Sequence, residues 1–504
     1  MEYTFGAIPS ELSLLATIIG CGLGWAWWKW GRCPSKIQHL PCVPTLRNLY
    51  CQFSGVGFDD RYELTGRAVH TKHALTREWQ PPLGWCVHVN DMVGFKFMSD
   101  KHEIFSKVLL TDVLKGTLAH QWLGYNVLFS NGSEWHFFRR TATPAFKVQW
   151  DLNKIVDTSQ TLLDIWASKE GETIDLMRWI PRFTLDTLGQ IIFTHDFGCL
   201  TQEHSPFGRL HSSIMSEVLK MRYFFFTFAD RPWNPWRRKV FQDIEEFDQR
   251  FSTIINERRA RHSRGEPIPR DLLGSFLEGQ RVSTQAGEKG TRVMTDREVR
   301  DNMNIFFMAG HDTGTTTISR LVYLLGQRQD VQEKLRSHVL TALTDEDDIP
   351  RASHNIPYLD ALIKEFLRLW PATGRLPERL TTEDVVMPCG QLIPKGTSII
   401  GNMWTVNRDP KVYGEDAELF RPERYLSPGP DGKQLPLATF GLGPRSCIGQ
   451  RLALAEIRII LIMLVRAFTW VSIENSTGKP VLGVPYLIHP KKIKIVVTRR
   501  QQTT

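Results

Sequence analysis

The chain has 504 residues, of which 42% are hydrophobic and 23% charged, and its formal net charge is +8. A chain of this length can bury a core that encloses a cofactor, and length alone also allows two domains. The modest charge argues against nucleic-acid binding and suits an acidic protein partner or an anionic membrane surface equally well. Eight cysteines are scattered without metal-ligand spacing, which indicates a reduced, cytosol-facing protein rather than a disulfide scaffold.

Residues 12–28 form an uncharged, mainly apolar segment at the short end of what spans a bilayer. A cleaved signal peptide would carry positive charge before this segment, whereas here Glu2 and Glu11 precede it. Trp25, Trp27, Trp28 and Trp30 form an aromatic belt at the end of this segment, and the cations Lys29, Arg32 and Lys36 follow its last residue. By the positive-inside rule, the sequence predicts a retained transmembrane signal anchor at 12–28, with residues 1–11 lumenal and the rest cytosolic.

Residues 29–45 contain three prolines, Pro34, Pro41 and Pro44, which resist helix formation and predict a stiff linker. The folded domain is then expected to occupy residues 46–504. Helical periodicity dominates from about Trp135 to Trp370, and short β-branched runs occur at Ser398–Ile400 and Ile493–Val497. We therefore predict a mainly α fold with a minor β portion.

Trp135 and Arg139 are four residues apart in a helical pattern, so an indole N–H and a guanidinium share one face and can grip an acidic group. A packed tryptophan beside a surface arginine is the alternative. Further along, residues 223–238 combine an aromatic run with Pro232-Trp233-Asn234-Pro235-Trp236-Arg237-Arg238. A core helix explains the phenylalanines, whereas the Trp/Pro/Arg part suits a loop in the membrane interface, and the sequence leaves both open.

Residues 307–317 interrupt an apolar helical pattern with glycines, an acid and hydroxyls, in the order Phe-Met-Ala-Gly-His-Asp-Thr-Gly-Thr-Thr-Thr. Glycine weakens a helix and threonine hydroxyls bond the carbonyls of the preceding turn, so we expect a locally opened helix with room for a small molecule. The polar residues can also simply face solvent. We interpret His311 as a groove or surface histidine rather than a metal ligand.

Glu365 and Arg368 are spaced to share one helix face, but an exposed pair of this kind is common and contributes little. Its position before the segment Phe420-Arg421-Pro422-Glu423-Arg424 gives it more weight.

Cys447 lies in the glycine-rich segment Phe440-Gly441-Leu442-Gly443-Pro444-Arg445-Ser446-Cys447-Ile448-Gly449, directly before an apolar helical pattern. With no second cysteine nearby, it is not half of a Cys-x-x-Cys pair. Glycines allow close approach to a flat macrocycle, and backbone amides and a helix N-terminus favour a thiolate, so this sulfur suits the axial position of a haem. A buried structural cysteine is the alternative.

At this point the chain resembles a known family. Phe440, Gly443, Arg445, Cys447 and Gly449 match the haem-binding signature of the cytochromes P450. With the segments around Trp135, Asp312, Glu365 and Arg424, they make five elements in the order typical of that family, which together span most of the chain. The resemblance implies a single large P450 domain behind the anchor.

The resemblance also implies roles for individual residues. Cys447 would ligate the iron, and the cofactor would contact Trp135, Arg139, Arg379, Phe440, Gly441, Arg445, Cys447 and Gly449. Ala309 and Gly310 would form a groove for dioxygen, while Asp312, reaching solvent, and Thr313 would relay protons to it. Glu365, Arg368 and Arg424 would form a buried structural triad. The spacing after Pro371 is about one residue longer than usual, so Arg375 and Arg379 are not distinguished.

The implied activity is a haem-thiolate monooxygenase of the endoplasmic reticulum membrane, of a fungal type. It would use haem b and dioxygen to oxidise an apolar small molecule, with electrons from NADPH through a separate flavoprotein reductase that docks near Arg445. The substrate would belong to secondary metabolism (a terpenoid, polyketide or alkaloid), with fatty-acid hydroxylation as the alternative. A reductase-independent isomerase or dehydratase and a non-catalytic haem protein are rivals, and the presence of Asp312 and Thr313 together argues against both.

Overall fold

The computed structural model describes residues 31–54, 56–80, 84–218, 220, 223, 226–285, 292–343, 348–429, 432–473, 481–482 and 490–500. The helices in this part of the chain are α1 (Thr45–Phe53), α2 (Phe58–Arg61), α3 (Arg67–His70), α4 (Met92–Asp100), α5 (Leu110–Val113), α6 (Leu118–Leu123), α7 (Gly132–Lys147), α8 (Asn153–Ala167), α9 (Leu176–Leu188), α10 (Pro206–Val218), α11 (Pro235–Ser263), α12 (Leu272–Gln285), α13 (Asp296–Gln327), α14 (Gln329–Ala342), α15 (Ile349–Ala352), α16 (Pro357–Leu369), α17 (Met403–Val406), α18 (Pro410–Tyr413) and α19 (Gln450–Ala467).

The strands are short and form two main sheets, with β6 and β7, and β10 and β11, as separate antiparallel pairs. They are β1 (Leu75–Gln80), β2 (Gly84–Val89), β3 (Phe105–Lys107), β4 (Thr173–Asp175), β5 (Arg379–Thr381), β6 (Val385–Val386), β7 (Leu392–Ile393), β8 (Ser398–Gly401), β9 (Phe468–Ile473), β10 (Val481–Leu482), β11 (Pro490–Lys491) and β12 (Lys494–Arg499). The predicted mainly α fold with minor β structure is confirmed, and both β-branched runs fall on strands, β8 and β12.

The larger sheet has the order β1-β2-β8-β5-β3. Strands β2 and β8 are parallel and the other neighbours antiparallel, and the β3/β5 register places Lys107 opposite Arg379. The second sheet has the order β4-β12-β9. The larger sheet therefore brings together segments far apart in sequence, including two basic side chains.

Part of the predicted linker belongs to the folded domain. Ile37, Leu40 and Val43 are 1–3% exposed, and Ile37 and Leu40 pack in a core cluster with residues of β1 and β2 such as Leu75 and Val87. None of the helices over the described residues is long and apolar enough to cross a membrane. The predicted anchor at 12–28, and the lumenal segment before it, lie outside the described residues.

Helix α13 is the centre of the helical part. Thr295 begins it with a reciprocal capping box, in which its hydroxyl accepts from the Glu298 N–H and the Glu298 carboxylate accepts from the Thr295 N–H. The helix then runs for 32 residues, most of them buried, and packs against α9 and β9. Helix α19 packs against α8 and α14 on the other side of the core. The Cys447 loop therefore leads directly into a packed helix, while α13 runs through the core.

The structure brings Glu365, Arg368 and Arg424 together. Arg368 donates two hydrogen bonds of 2.8 Å to the Glu365 carboxylate, and both side chains are fully buried. Arg424 Nε lies 3.4 Å from the same carboxylate. Arg368 also donates to the carbonyl oxygens of Asn407 and Ala417, at 2.8 and 2.6 Å. A buried ion pair with this many hydrogen bonds fixes α16 to the two loops that lead toward Cys447.

Replacing Arg368 with methionine is expected to lower the free energy of unfolding by about 3–5 kcal/mol, because the Glu365 charge would be left buried without its bidentate partner. The measurement is chemical unfolding followed by circular dichroism. Lys334→Met is the matched control, since it removes the half-exposed ion pair with Glu423 and should cost no more than about 1 kcal/mol. Equal losses in the two variants would contradict a structural role for the triad.

Candidate active site

The Cys447 loop is a tight, hydrogen-bonded turn. Its backbone has positive φ at Gly441 (71°) and Gly443 (66°), a conformation that residues other than glycine rarely adopt. A Cβ on Gly443 would also come within 2.8 Å of the Ser99 carbonyl oxygen. The Cys447 N–H donates to the Phe440 carbonyl at 2.8 Å and closes the turn. The glycines in this segment therefore serve the backbone shape that presents the cysteine.

Two features of Cys447 together indicate that its sulfur lines an enclosed space. The residue has a large accessible surface, yet it is so enclosed by protein that burial raises the pKa of its thiol. Hydrogen bonds from the backbone N–H groups of Gly449 and Gln450, together with the positive charge of Arg139, act in the opposite direction and favour the thiolate. An exposed surface inside the protein and donors aimed at the sulfur are what an axial thiolate ligand needs.

Four cationic side chains gather near this space: Lys107, Arg139, Arg379 and Arg445. Burial lowers the pKa of Arg379 to about 10, and burial together with the charges of Arg379 and Arg139 lowers the pKa of Arg445 to about 9. Burial and the three arginines hold the pKa of Lys107 well below its usual range. Among the described residues, no carboxylate lies close enough to Lys107, Arg379 or Arg445 to favour its charged form.

An uncompensated buried positive charge is costly, so this cluster suits an anionic ligand. Arg379 Nε has no hydrogen-bond partner among the described residues, and its Nη1 makes two long contacts of 3.4 Å to carbonyl oxygens. Arg445 lies 3.9 Å above the ring of Trp135 and donates to the Ser130 carbonyl at 2.8 Å. The two propionates of a haem match this arrangement in charge, and the thiol of Cys447 matches it in ligand type. The residues present therefore fit a haem.

The structure separates Arg375 from Arg379. Arg375 is turned toward β1, where its Nη2 lies 3.3 Å from the buried Glu78 carboxylate. Arg379 is 3% exposed and belongs to the cationic cluster through the β3/β5 pairing. Arg375 instead lines a small separate pocket with Arg61, His70 and other residues. Arg379, and not Arg375, therefore belongs to the cationic cluster that fits an anionic ligand.

The segment 309–317 of α13 remains helical throughout, so the predicted opening does not interrupt the helix. The hydroxyls of Thr313 and Thr317 do bond back to the carbonyls of Ala309 and Thr313, both at 2.8 Å, as expected. Ala309 and Gly310 are exposed and Thr313 is partly exposed, although the helix around them is buried. This part of α13 therefore presents a small, uncharged surface with one hydroxyl.

Two expectations for this segment are wrong. Asp312 was expected to reach solvent, but it is 3% exposed and faces His211 of α10 and His311. His311 was expected in the groove or on the surface, but it is also 3% exposed, and its Nδ1 lies 2.7 Å from the Thr184 hydroxyl of α9. Successive helix residues point about 100° apart. Asp312 therefore turns toward the neighbouring helices while Thr313 and Ala309 keep the accessible side.

Sequence reasoning missed three buried groups near these elements. Lys107 sits in a short strand, and only the non-local pairing with β5 places it beside Arg379. Glu456 of α19 approaches α13 so closely that a Cβ on Gly314 would lie 3.2 Å from its Oε2, and burial raises the pKa of this carboxyl to about 8. The third is His211. An acidic residue within the apolar pattern of 450–467 was a signal in the sequence that could have revealed Glu456. The sequence around Lys107 and His211 contains no such signal.

Comparison with known proteins agrees with this site. The family model described as Cytochrome P450 matches residues 87–497, which include every predicted site residue. Human Cytochrome P450 4F8 is 29% identical over 397 residues, 74% of this chain and 72% of that protein. The cytochrome P450 monooxygenases claO and claQ of Ampulloclitocybe clavipes are 26% and 28% identical, each over 69% of this chain and 70% of their own length. The chain belongs to the cytochrome P450 family of haem-thiolate monooxygenases, which bind haem through a cysteine and receive electrons from a redox partner.

Proposed function

We propose that the protein oxidises an apolar small molecule of secondary metabolism, such as a terpenoid, polyketide or alkaloid, using haem b, dioxygen and electrons from NADPH. The observation that carries this proposal is the interior space with a cysteine sulfur, donors aimed at that sulfur, and a cationic cluster that lacks carboxylates among its described neighbours. A macrocycle with a metal and two acidic groups accounts for all three features.

Cys447 would hold the iron, and Lys107, Arg139, Arg379, Arg445 and Trp135 would hold the acidic edge of the macrocycle. A haem bound in this way supplies dioxygen activation. The chain's own contribution is positioning and proton supply. Thr313 presents its hydroxyl from the accessible side of α13, and Asp312 would pass protons toward it from the buried side of the same helix. Glu365, Arg368 and Arg424 would keep the loops on the Cys447 side in place.

The proposed substrate class rests on the surface of α13. Ala309, Gly310 and Thr313 provide the accessible surface of this stretch, and it carries no charge. Such a surface favours a neutral or apolar molecule over one with a charged group at the reacting end. A fatty acid with its carboxylate far from the reacting carbon remains the second candidate, and competition between neutral and acidic substrates separates the two.

The proposed reductase would dock on the side of the Cys447 loop. Arg445 was expected to contribute there, but it is half-buried and stacked on Trp135. Exposed cations nearby are Arg140 and Lys147 of α7 and Arg451 of α19. Arg451 lies over the ring of Trp150, just beyond α7. Basic residues at the mouth of the Cys447 loop favour an acidic protein partner.

The membrane location in the endoplasmic reticulum is proposed on two grounds. The first is the apolar segment 12–28. The second is the segment that leads into the first turn of α11, where Phe226, Phe228, Trp233 and Trp236 are 57–85% exposed. Large exposed aromatic side chains at this density suit an interfacial membrane contact. Arg237 within the same segment is fully buried and ion-paired with Glu217 and Asp230, so it holds the segment in shape.

Replacing Cys447 with alanine is expected to abolish the red-shifted Soret band of the reduced carbon monoxide complex, because that shift requires a thiolate ligand. The measurement is the difference spectrum of the purified protein, followed by NADPH oxidation and product analysis with reductase and candidate substrates. Cys389→Ala removes an exposed cysteine and is the control. A wild-type spectrum in the Cys447 variant would refute the ligand assignment.

Replacing Thr313 with alanine should leave haem binding intact but lower the amount of product per NADPH by about fivefold to tenfold, with the remainder appearing as hydrogen peroxide. A lost hydrogen bond of about 1–1.5 kcal/mol corresponds to this change. Thr341→Ala removes the same type of hydrogen bond from an exposed helix position and should not change the ratio. Fully coupled turnover of the Thr313 variant would remove this residue from proton delivery.

Replacing Lys107 with methionine is expected to have different effects on the two forms of the protein. Without haem, the variant should be about as stable as the wild type, because removing one of several repelling buried charges offsets the loss of the 2.7 Å hydrogen bond that Lys107 Nζ donates to the Leu128 carbonyl. With haem, it should release the cofactor about tenfold to a hundredfold faster, as expected for a lost charged hydrogen bond of about 1.5–3 kcal/mol.

Haem transfer to an excess of a scavenging protein measures the release rate, and thermal unfolding measures stability. Lys96→Met changes an exposed lysine on α4 and serves as the control for both. A Lys107 variant that is destabilised without haem and retains haem normally would show that the side chain is only a packing element.

A further inference from the structure

His211, His311 and Asp312 form a buried cluster between α10 and α13. The Nε2 atom of His211 lies 3.6 Å from Asp312 Oδ2, and the Nε2 atom of His311 lies 3.8 Å from Asp312 Oδ1. The two rings meet edge-to-face with centroids 4.6 Å apart. The three side chains are only 4–5% exposed. The carboxylate is therefore enclosed by two imidazoles from two different helices.

A carboxylate this deeply buried needs a neighbouring positive charge to remain ionised. Histidine is the side chain whose charge changes most readily near neutral pH, so it can carry that charge and also give up a proton. The two histidines differ in the other hydrogen bonds that their rings make. His311 Nδ1 lies 2.7 Å from the Thr184 hydroxyl, which in turn lies 2.7 Å from the Thr315 hydroxyl. His311 is thus fixed within a hydroxyl chain along α9 and α13.

His211 has no comparable second contact. Its Nε2 has no hydrogen-bond partner among the described residues and points at the carboxylate. The separation of 3.6 Å is slightly longer than a hydrogen bond and too short for an intervening water. A small rotation of either side chain closes it. The side chain of His211 is itself 5% exposed, and Ser212, the next residue of α10, is exposed, so the solvent-facing side of the helix begins one residue from His211.

We propose that His211 supplies protons to Asp312 and is a positioning residue for the oxidation, an inference that rests on the proposed function. In the transfer, the imidazolium of His211 gives its Nε2 proton to Asp312 Oδ2 and becomes neutral imidazole. It regains a proton from water at the surface of α10. Because His211 and Asp312 belong to different helices, the relay is complete only when α10 packs against α13.

The first test measures the pairing without turnover. Thermal unfolding is compared for the wild type, His211→Phe, Asp312→Asn and the double variant. His211→Phe should lower the unfolding temperature markedly when Asp312 is present, because the carboxylate loses its partner, and much less when residue 312 is asparagine. Additive shifts overturn the proposal, since they mean that His211 only fills space.

The second test measures proton supply in the haem-loaded protein. His211→Gln keeps a polar side chain of similar size that does not titrate, so it should lower product per NADPH about fivefold or more while the carbon monoxide spectrum stays unchanged. His338→Gln on the exposed side of α14 is the control. Normal coupling in His211→Gln overturns the relay.

Two further outcomes are decisive. The spacing of the three ligand atoms also approaches that of a small metal site, so the purified protein is analysed for metals other than iron. A stoichiometric metal ion that is lost in His211→Gln overturns the relay in favour of a metal centre. A wild type with a thiolate spectrum but no oxidised product counts against the proposed function, and the thermal cycle then decides the His211–Asp312 pairing separately.

Discussion

The positive charge beside the Cys447 space is the constraint on which the site depends. Lys107, Arg139, Arg379 and Arg445 come from four separate parts of the chain, and their pKa values are depressed by burial. The first and third meet through the β3/β5 register. Holding like charges together in a protein interior costs free energy that only an anion relieves. The larger sheet, the Cys447 loop and α7 are therefore arranged around a ligand with two acidic groups.

The network of Glu365, Arg368 and Arg424 meets the opposite requirement, which is a fixed frame in which every charge has a partner. Glu365 is enclosed by Arg368 and Arg424, and the remaining guanidinium donors of Arg368 go to backbone carbonyls. Each buried charge has a partner and each donor an acceptor, so this network holds backbone rather than ligand. In the cationic cluster, Lys107 and Arg445 donate to neutral oxygens, but no carboxylate among the described residues balances the charge. This difference separates a structural site from a binding site on physical grounds alone.

Local sequence was enough to predict those features that local geometry determines. The Cys447 turn needs glycine at positive φ, and the hydroxyls of Thr313 and Thr317 bond to carbonyls four residues earlier, so both were visible in the chain. Features that depend on non-local pairing were not. The choice between Arg375 and Arg379, and the presence of Lys107, follow from the register of strands far apart in sequence. No pattern within either segment encodes that register.

The direction in which the Asp312 side chain points was also not predictable from local sequence. It explains how the polar residues are distributed around α13. An acid next to a hydroxyl in sequence points about 100° away from it on a helix, so both cannot lie on the accessible side. Placing the small residues and Thr313 on that side forces Asp312 against α9 and α10, where a lone carboxylate would be costly. The imidazoles of His211 and His311 lie beside the carboxylate and offset the free-energy cost of burying it. The polar residues on the buried side of α13 are thus a consequence of keeping its accessible side small and neutral, and in the proposed relay the same residues carry the proton.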